Sequence, residues 1–499
     1  MLPGHFLYPA FEPSRAHHLM ARHAPAAGKV QSQRGLSLRC RTPVVSGVQS
    51  GFHLIFVPES RHCSFSRDQP EEPTMARRFH LALACSLLAC VSAIMPDPGF
   101  AQEGEEIMAL PSSRDELSDR LTEAGMSAAG VAAIVKVARD GIVLDTKPAD
   151  ETTLPLGAGK VGGLPDLPKG MAWPIRPAYD NAVQLAEDFT ADAANFYADA
   201  GMVPPWVPEA EGRAFADERK RANEEARAAA LKIMKDAGAE VSEADLANAT
   251  GLPADVAVKA AVEQKLLAET VVKPSPLPFI AQVDLAALAG EPGFDKALPS
   301  TGRLLFFYDM PVLPASYEPR GKAGWKLVYD DTPMAELERK PLPKELSDFP
   351  GTASLKAVAI TPRSVVTTVP VGDSGWDTVG EISGDDTSIY SQWLFSLGWP
   401  TAAEGGNHQL GGWPRAIQTG MQAMSQLASS GLYVGDSSAF ETEQGKRLLA
   451  DAKDWRLVLQ IGTDEATGYP FPGALYVLMR EADLAARNFD KAWVVYEQD

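Results

Sequence analysis

Three short stretches occur twice along this chain, in the same order. "VGGLPDLP" (161–168) is matched by "LGGWPRAI" (410–417), "LPFIAQVDL" (277–285) by "WRLVLQIGTDE" (455–465), and "GRLLFFYD" (302–309) by "GALYVLMRE" (473–481). A sequence that repeats a set of elements in register folds as two related units. The middle pair places a glutamine, Gln282 or Gln460, inside an apolar strand. Gly162 and Gln282 are 120 positions apart and Gly411 and Gln460 are 49 apart, so the first copy must hold an insertion.

Composition locates that insertion. Residues 184–273 are Ala- and charge-rich, and "FADERKRANEEARAAALKIMKDAG" puts Phe215, Ala222, Ala226, Ala229, Ile233 and Ala237 at helical spacing. Ser242 and Pro253 are read as openers of two further helices. A solvated helical arm is the expected form. On either side run "RLLFFYD" (303–309), "WKLVYDD" (325–331), "LKAVAI" (355–360), "RSVVTTVP" (363–370), "RLVLQIG" (456–462), "ALYVLM" (474–479) and "KAWVVYEQ" (491–498), β-branched or aromatic runs between turns. Helices are expected at 418–430 and 443–453. Two more are expected over 113–140, opened by the capping-box pattern Ser113 to Glu116 and closed at Gly141 by Lys136 and Arg139. The fold class is therefore α+β: an internally duplicated β-rich domain with short helices and a mostly helical insertion.

The N-terminal part reads as processing sequence. "MARRFHLALACSLLACVSAIMPDPGFAQ" from Met75 has a basic start, an apolar run, and small residues Gly99 and Ala101 before Gln102. That is the layout of a signal peptide over 75–101, which makes 1–74 a non-native upstream extension and the destination periplasmic or secreted. Lipidation at Cys90 is the lesser alternative. Cys40, Cys63, Cys85 and Cys90 all lie upstream of Gln102, so disulfides and cysteine-ligated metal are excluded from the remainder. Residues 1–101 hold 10 of the 46 Lys+Arg and 6 of the 65 Asp+Glu, which leaves a net charge of −23 on the rest. So acidic a chain is poorly suited to nucleic acid or anionic membrane. No transmembrane span is expected after residue 101. Domain limits follow as 102–183 (helices and the start of the duplicated domain), 184–273 (helical insertion) and 274–499 (its main part).

"KVGGLPDLPKGMAWP" (160–174), "LPFIAQVDLAAL" (277–288), "LPSTGRLLFFYD" (298–309), "KPLPKELSDFP" (340–350), "NHQLGGWPRAIQ" (407–418), "LVLQIGTDE" (457–465) and "GALYVLMREADLAARNFDKAW" (473–493) together resemble the YwqG-like domain family of unknown function. The resemblance covers roughly 150–180 and 275–499. It implies an α+β fold with internal duplication and brings no reaction or cofactor; the setting of some members near toxin systems suggests protein binding. The chain departs from the family in its leader, in the segment near 184–270, and in "GYPFPGALY" (468–476), which lacks the Asp of the family's aromatic-Gly-Asp-x-Gly turn.

No catalytic motif survives inspection, and neither cofactor nor metal is implied. "GAGKVGG" (157–163) matches G-x-G-x-x-G, but Pro165 and Pro168 prevent the helix that phosphate binding needs. "GDSGWD" (372–377) has Ser374, yet its base would have to be His408, the one histidine after residue 80 and on the wrong side of the serine. Asp373, Asp377, Glu381, Asp385 and Asp386 match no calcium-loop spacing. Trp173 and Trp413 are read as packing anchors. Gly411 and Gly412 before Trp413-Pro414 read as a strand-to-helix turn. If the two GG-x-P turns occupy related positions, the cleft between the halves is the natural binding site. Its lining would be His408, Gln409, Gly411, Gly412, Trp413, Pro414 and Gln418 with Gly162, Gly163, Pro165, Gln282 and Gln460. The leading function is a binding module for a protein or a small molecule. The alternative is a hydrolase using cleft carboxylates on a glycan or peptide. Converging carboxyls of raised pKa favour the enzyme; a broad apolar or aromatic-rimmed face favours the binder.

Overall fold

The computed structural model describes residues 108–236, 252–349, 353–398, 407–418, 420–468 and 473–498. The extension, the leader, Cys90, Ala237, the helix opened by Ser242 and most of the "GYPFPG" turn lie outside the described residues.

Two capped helices come first. Ser113 accepts from Glu116 N at the start of α1 (Arg114–Glu123), and Ser127 accepts from Gly130 N at the start of α2 (Ala128–Val137). The Glu116 carboxylate reaches back to Ser112 N (2.7 Å), one residue beyond the simple capping box. The expectation that α2 runs on to Gly141 is corrected. Helix stops at Val137, and Arg139–Pro148 is strand β1. Lys136 and Arg139 imitate a helix C-terminus, but Ile142, Val143 and Leu144 are fully buried in the sheet, and their packing overrides the local signal.

The remaining strands are β2 (Lys160–Val161), β3 (Asp166–Pro168), β4 (Ile175–Arg176), β5 (Ser275–Pro276), β6 (Phe279–Asp284), β7 (Arg303–Tyr308), β8 (Trp325–Asp330), β9 (Leu337–Arg339), β10 (Val358–Thr367), β11 (His408–Gly411), β12 (Trp455–Ile461), β13 (Gly473–Arg480) and β14 (Trp493–Gln498). Ten of them form one sheet in the order β14-β13-β12-β11-β1-β10-β2-β6-β7-β8. Every neighbouring pair is antiparallel. At its centre β1 and β10 pair over ten residues, from Arg139↔Thr367 to Pro148↔Val358. The two runs expected at 355–360 and 363–370 are thus one strand through Pro362. That proline is tolerated because β2 pairs only with Val358 and Ala359, so beyond them β10 needs no second set of N–H donors. Small sheets β3-β9 and β4-β5 flank the large one.

The main core is built on the sheet from Ile142, Phe306, Trp325, Leu459, Val477 and Trp493. A second cluster packs α1 and α2 against α6 (Gly384–Ser396) through Leu117, Ile134, Tyr390 and Trp393, and it contains Trp413. Between β4 and β5 the regular elements among the described residues are all helices: α3 (Ala182–Asp199), α4 (Glu209–Asp236) and α5 (Ala254–Thr270). Leu185 and Phe189 of α3 join Leu267 and Val271 over Val312, Leu346 and Phe349, so this arm is rooted in a core of its own. Arg219 of α4 pairs with Asp199 at 2.8 Å. Among the described residues no helix is long and apolar enough to cross a membrane.

Candidate functional site

Both GG-x-P turns leave the sheet at strand ends, and in both the glycines have left-handed backbone: φ +68° and +75° at Gly162 and Gly163, +66° and +75° at Gly411 and Gly412. Each turn is tied to the glutamine of the neighbouring strand. Gln282 Oε1 accepts from Asp166 N (3.0 Å) and its amide donates to Ala158 O (2.9 Å). Gln460 Oε1 accepts from Arg415 N (3.0 Å) and its amide donates to Asn407 O (3.3 Å). The partner residues stand at the same offsets from the first glycine in both places. Both glutamines are fully buried, so their amides serve the turns and face no solvent.

The charges around the two turns differ. Lys160, buried completely, lies 3.2 Å from Glu151 and 3.6 Å from Asp166. Arg339 grips Asp166 through Nε (2.8 Å) and Nη2 (3.2 Å). Gly157 N and the Gln282 amide also donate to that carboxylate. Burial alone would raise the Asp166 carboxyl, but the Arg339 fork and Lys160 hold it below the usual carboxylate range. In the second turn Gln409 stands where Lys160 does in the first, and its amide donates to Gly411 O and Trp413 O (both 2.8 Å). Lys340 N donates to Pro165 O in the first turn; Pro414 is simply buried in the second.

His408 pairs with Ile461 in the sheet and is 2 % exposed. Its Nδ1 accepts from Gly462 N (3.2 Å), which leaves Nε2 to carry the proton and face Asp464 Oδ2 (3.2 Å). Thr146 donates to the same oxygen (2.6 Å). The space beside them, shared by Val161 and Ile280 from one half of the sheet and Ile461 and Asp464 from the other, is about 10 Å³. That is room for about one water molecule and no substrate. His408 therefore lies at the junction of the halves with both ring nitrogens already engaged.

Gln418 lies on the surface beyond the turn, its N on Glu497 Oε2 (2.9 Å). Ile417 N donates to the same oxygen, and Gly420 N donates to Asp373 Oδ1 (2.7 Å), so two carboxylates hold the start of α7 (Met421–Ser429). Burial drives both carboxyls up, Glu497 to about 8 and Asp373 to about 6, against the backbone donors. The two are nevertheless sealed, each 3 % exposed.

Trp413 gathers the remaining features. Its N donates to Thr367 Oγ1 (2.7 Å) and its Nε1 to Val137 O (2.8 Å), while the guanidinium of Arg139 lies 3.7 Å from its ring centroid. Reading Arg139 as a helix-end cation concealed this stack. The β-branched pair Ile142-Val143 just downstream was the signal that could have exposed it.

An open, shallow concave surface lies elsewhere, on the helical arm. Val183, Ala186, Glu187, Thr190, Ala191 and Ala194 of α3, with Trp206 and Val272, enclose a groove of about 540 Å³. The sequence offered no sign of it beyond helical spacing. Among the described residues no group of three or more His, Cys, Asp and Glu is placed to hold a metal ion.

The fold and these sites define an α+β protein built on a wide antiparallel sheet, with its conspicuous polar turns closed on themselves. Residues 159–497 match the family model described as Domain of unknown function (DUF1963). The match spans more than half of the chain, which belongs to that family. No curated protein matches it.

Proposed function

We propose that this chain is an exported interaction module that docks a helix of a partner protein in the groove on α3. The single observation that carries the reading is the groove itself: apolar, rimmed by Trp206 (38 % exposed), Val183 (72 %) and Val272 (48 %), and about 540 Å³ in volume. From Val183 to Ala194 is eleven steps of helix, about 16 Å at about 1.5 Å per residue, the length of three turns of a partner helix. Alanines along its floor allow close backbone approach. The charged residues of α3 are Glu187, Asp188, Asp192 and Asp199, with no Lys or Arg, so the fitting partner has an apolar face flanked by basic residues.

The hydrolase alternative draws less support. Its best carboxyls, Asp373 and Glu497, are raised in pKa but hold backbone amides out of solvent's reach, and the void at His408 admits no substrate.

The finer relationships are part of the same proposal. We read the chain as YwqG-like and its sheet as two copies of one unit, β14-β13-β12-β11-β1 and β10-β2-β6-β7-β8. The matching bonds of Gln282 and Gln460 support that reading. The helices between β4 and β5 are read as an insertion in the first copy. Export rests on the leader-like sequence 75–101.

A photo-reactive residue at Ala191, with a control at exposed Lys136, tests the groove in cells of the native host. We expect a discrete adduct from Ala191 alone, lost in Val183→Asp. Equal labelling from both positions, or an adduct indifferent to Val183→Asp, would sink the docking reading.

A further inference from the structure

We infer that Arg139, stacked on Trp413, is a recognition site for a single carboxylate, separate from the groove on the helical arm. The guanidinium lies 3.7 Å from the Trp413 ring centroid, a distance of direct face contact. Its five N–H donors form no hydrogen bond within the described protein: Nη1 is shielded from water and has no acceptor. An arginine nitrogen in this condition is unusual, because Nη1 loses water without gaining a partner. The stacking consumes the ring face and leaves the planar edge, the part of the group that matches a carboxylate with two parallel bonds.

The neighbouring charges set the ligand's charge. Arg456 donates to Asp295 (2.7 Å) and Glu481 (3.2 Å) while its own Nε has no acceptor. Burial, and after it the nearby Arg456, lower the Arg139 pKa to about 10; Glu481 and Asp295 act in the opposite sense. Arg139 therefore stays charged at neutral pH. Arg456 already takes both carboxylates, so Arg139 has no hydrogen-bonded carboxylate of its own; the four charges sum to zero, so a bound monoanion leaves the cluster at −1 and a dianion at −2. Phosphate is for that reason the poorer fit. The carboxylate's source is a small organic acid or the C-terminus of a peptide.

The stack is fixed before any ligand arrives. Gly412, at φ +75°, turns Trp413 under β1, and the two hydrogen bonds of Trp413 hold its plane. Such preorganisation lowers the entropy lost on binding.

The test uses protein labelled with nitrogen-15 arginine, in which the Arg139 Nε–Hε resonance is assigned by its loss in Arg139→Lys. Sodium acetate, sodium phosphate and sodium chloride are titrated at matched ionic strength, followed by a short peptide with a free C-terminus and the same peptide amidated. Acetate or the free peptide should shift the resonance saturably, at concentrations at least about tenfold below chloride, with Arg139→Lys weakening binding about tenfold as followed by calorimetry. Folding of that variant is checked by its melt. A free peptide that binds where acetate and the amide do not assigns the source to a peptide C-terminus, and equal binding of acetate and free peptide assigns it to a small acid. Tighter binding of phosphate than of any carboxylate, or linear shifts with every salt, overturns the inference.

Discussion

The two GG-x-P turns have the same backbone and opposite chemistry. Both use two left-handed glycines and a strand glutamine that ties the turn shut. Around the first turn the remaining groups are ions: Lys160, Asp166, Glu151 and Arg339. Around the second the cations meet neutral partners: Gln409 stands in place of a lysine, Arg139 stacks on Trp413, and Arg415 donates to the carbonyls of Leu397 and Gly398 (3.1 Å each). The glycine-and-glutamine frame thus fixes geometry, and the side chains beside it are interchangeable provided that each buried polar group finds a partner. The ionic version carries the greater hazard, since losing one ion strands another in a low-dielectric core.

The largest contrast should come from removing one arginine at each turn. Arg339→Met leaves the fully buried Asp166 with Lys160 at 3.6 Å as its remaining cation, and should cost about 3–5 kcal/mol in urea denaturation. Arg415→Met gives up bonds to carbonyls and should cost about 1–2 kcal/mol. Equal losses would mean that the first turn gains nothing special from its charges.

Glycine substitutions rank next. A Cβ at Gly162 would run into the backbone oxygen of Lys356, which cannot swing away, whereas a Cβ at Gly412 would meet the Thr367 hydroxyl at 2.6 Å. Gly162→Val is expected to lose about 3 kcal/mol and Gly412→Val roughly 1–3 kcal/mol, the usual scale for strained backbone. The reverse order in thermal melts would show that the first turn is the more pliable.

At the junction of the halves, His408→Ala removes the partner of Gly462 N and of Asp464 in a void with room for one water. A loss of about 1–2 kcal/mol is expected. No change in melting temperature would point instead to a role for the ring outside the fold.

A further effect is one of pH. Glu497 rises from its ordinary 4.5 to about 8 on folding, so its folded form holds the proton more tightly than the unfolded chain does. That contribution to stability is complete below pH 4.5 and disappears as pH climbs to about 8. Asp373 acts in the same direction between 3.8 and about 6. Asp166 opposes them: with its folded value lowered, its contribution is present above 3.8 and lost as pH falls through that lower value. Melting temperature in Glu497→Gln should consequently be flatter than wild type between pH 4.5 and 8. An unchanged slope would assign the dependence to other groups.

Much of this molecule was legible locally. Ser113 caps a helix where the sequence places it, Pro253 precedes α5, and the apolar runs at 303–309, 325–331, 456–462 and 491–498 are strands. Capping, turn glycines and alternation act over a few residues, so sequence alone determines them. The α+β class and the helical nature of the arm followed from the same signals. Partner choice did not. Arg339 finds Asp166 from 173 residues away, His408 finds Asp464 from 56, and β1 becomes a strand because β10 and β11 lie on either side of it. The same blindness hid the Arg139–Trp413 stack and the groove between α3, Trp206 and Val272. Each depends on which surfaces the folded sheet and arm bring together, and the free energy of a buried contact is set by distance in space, which local spacing along a chain does not encode.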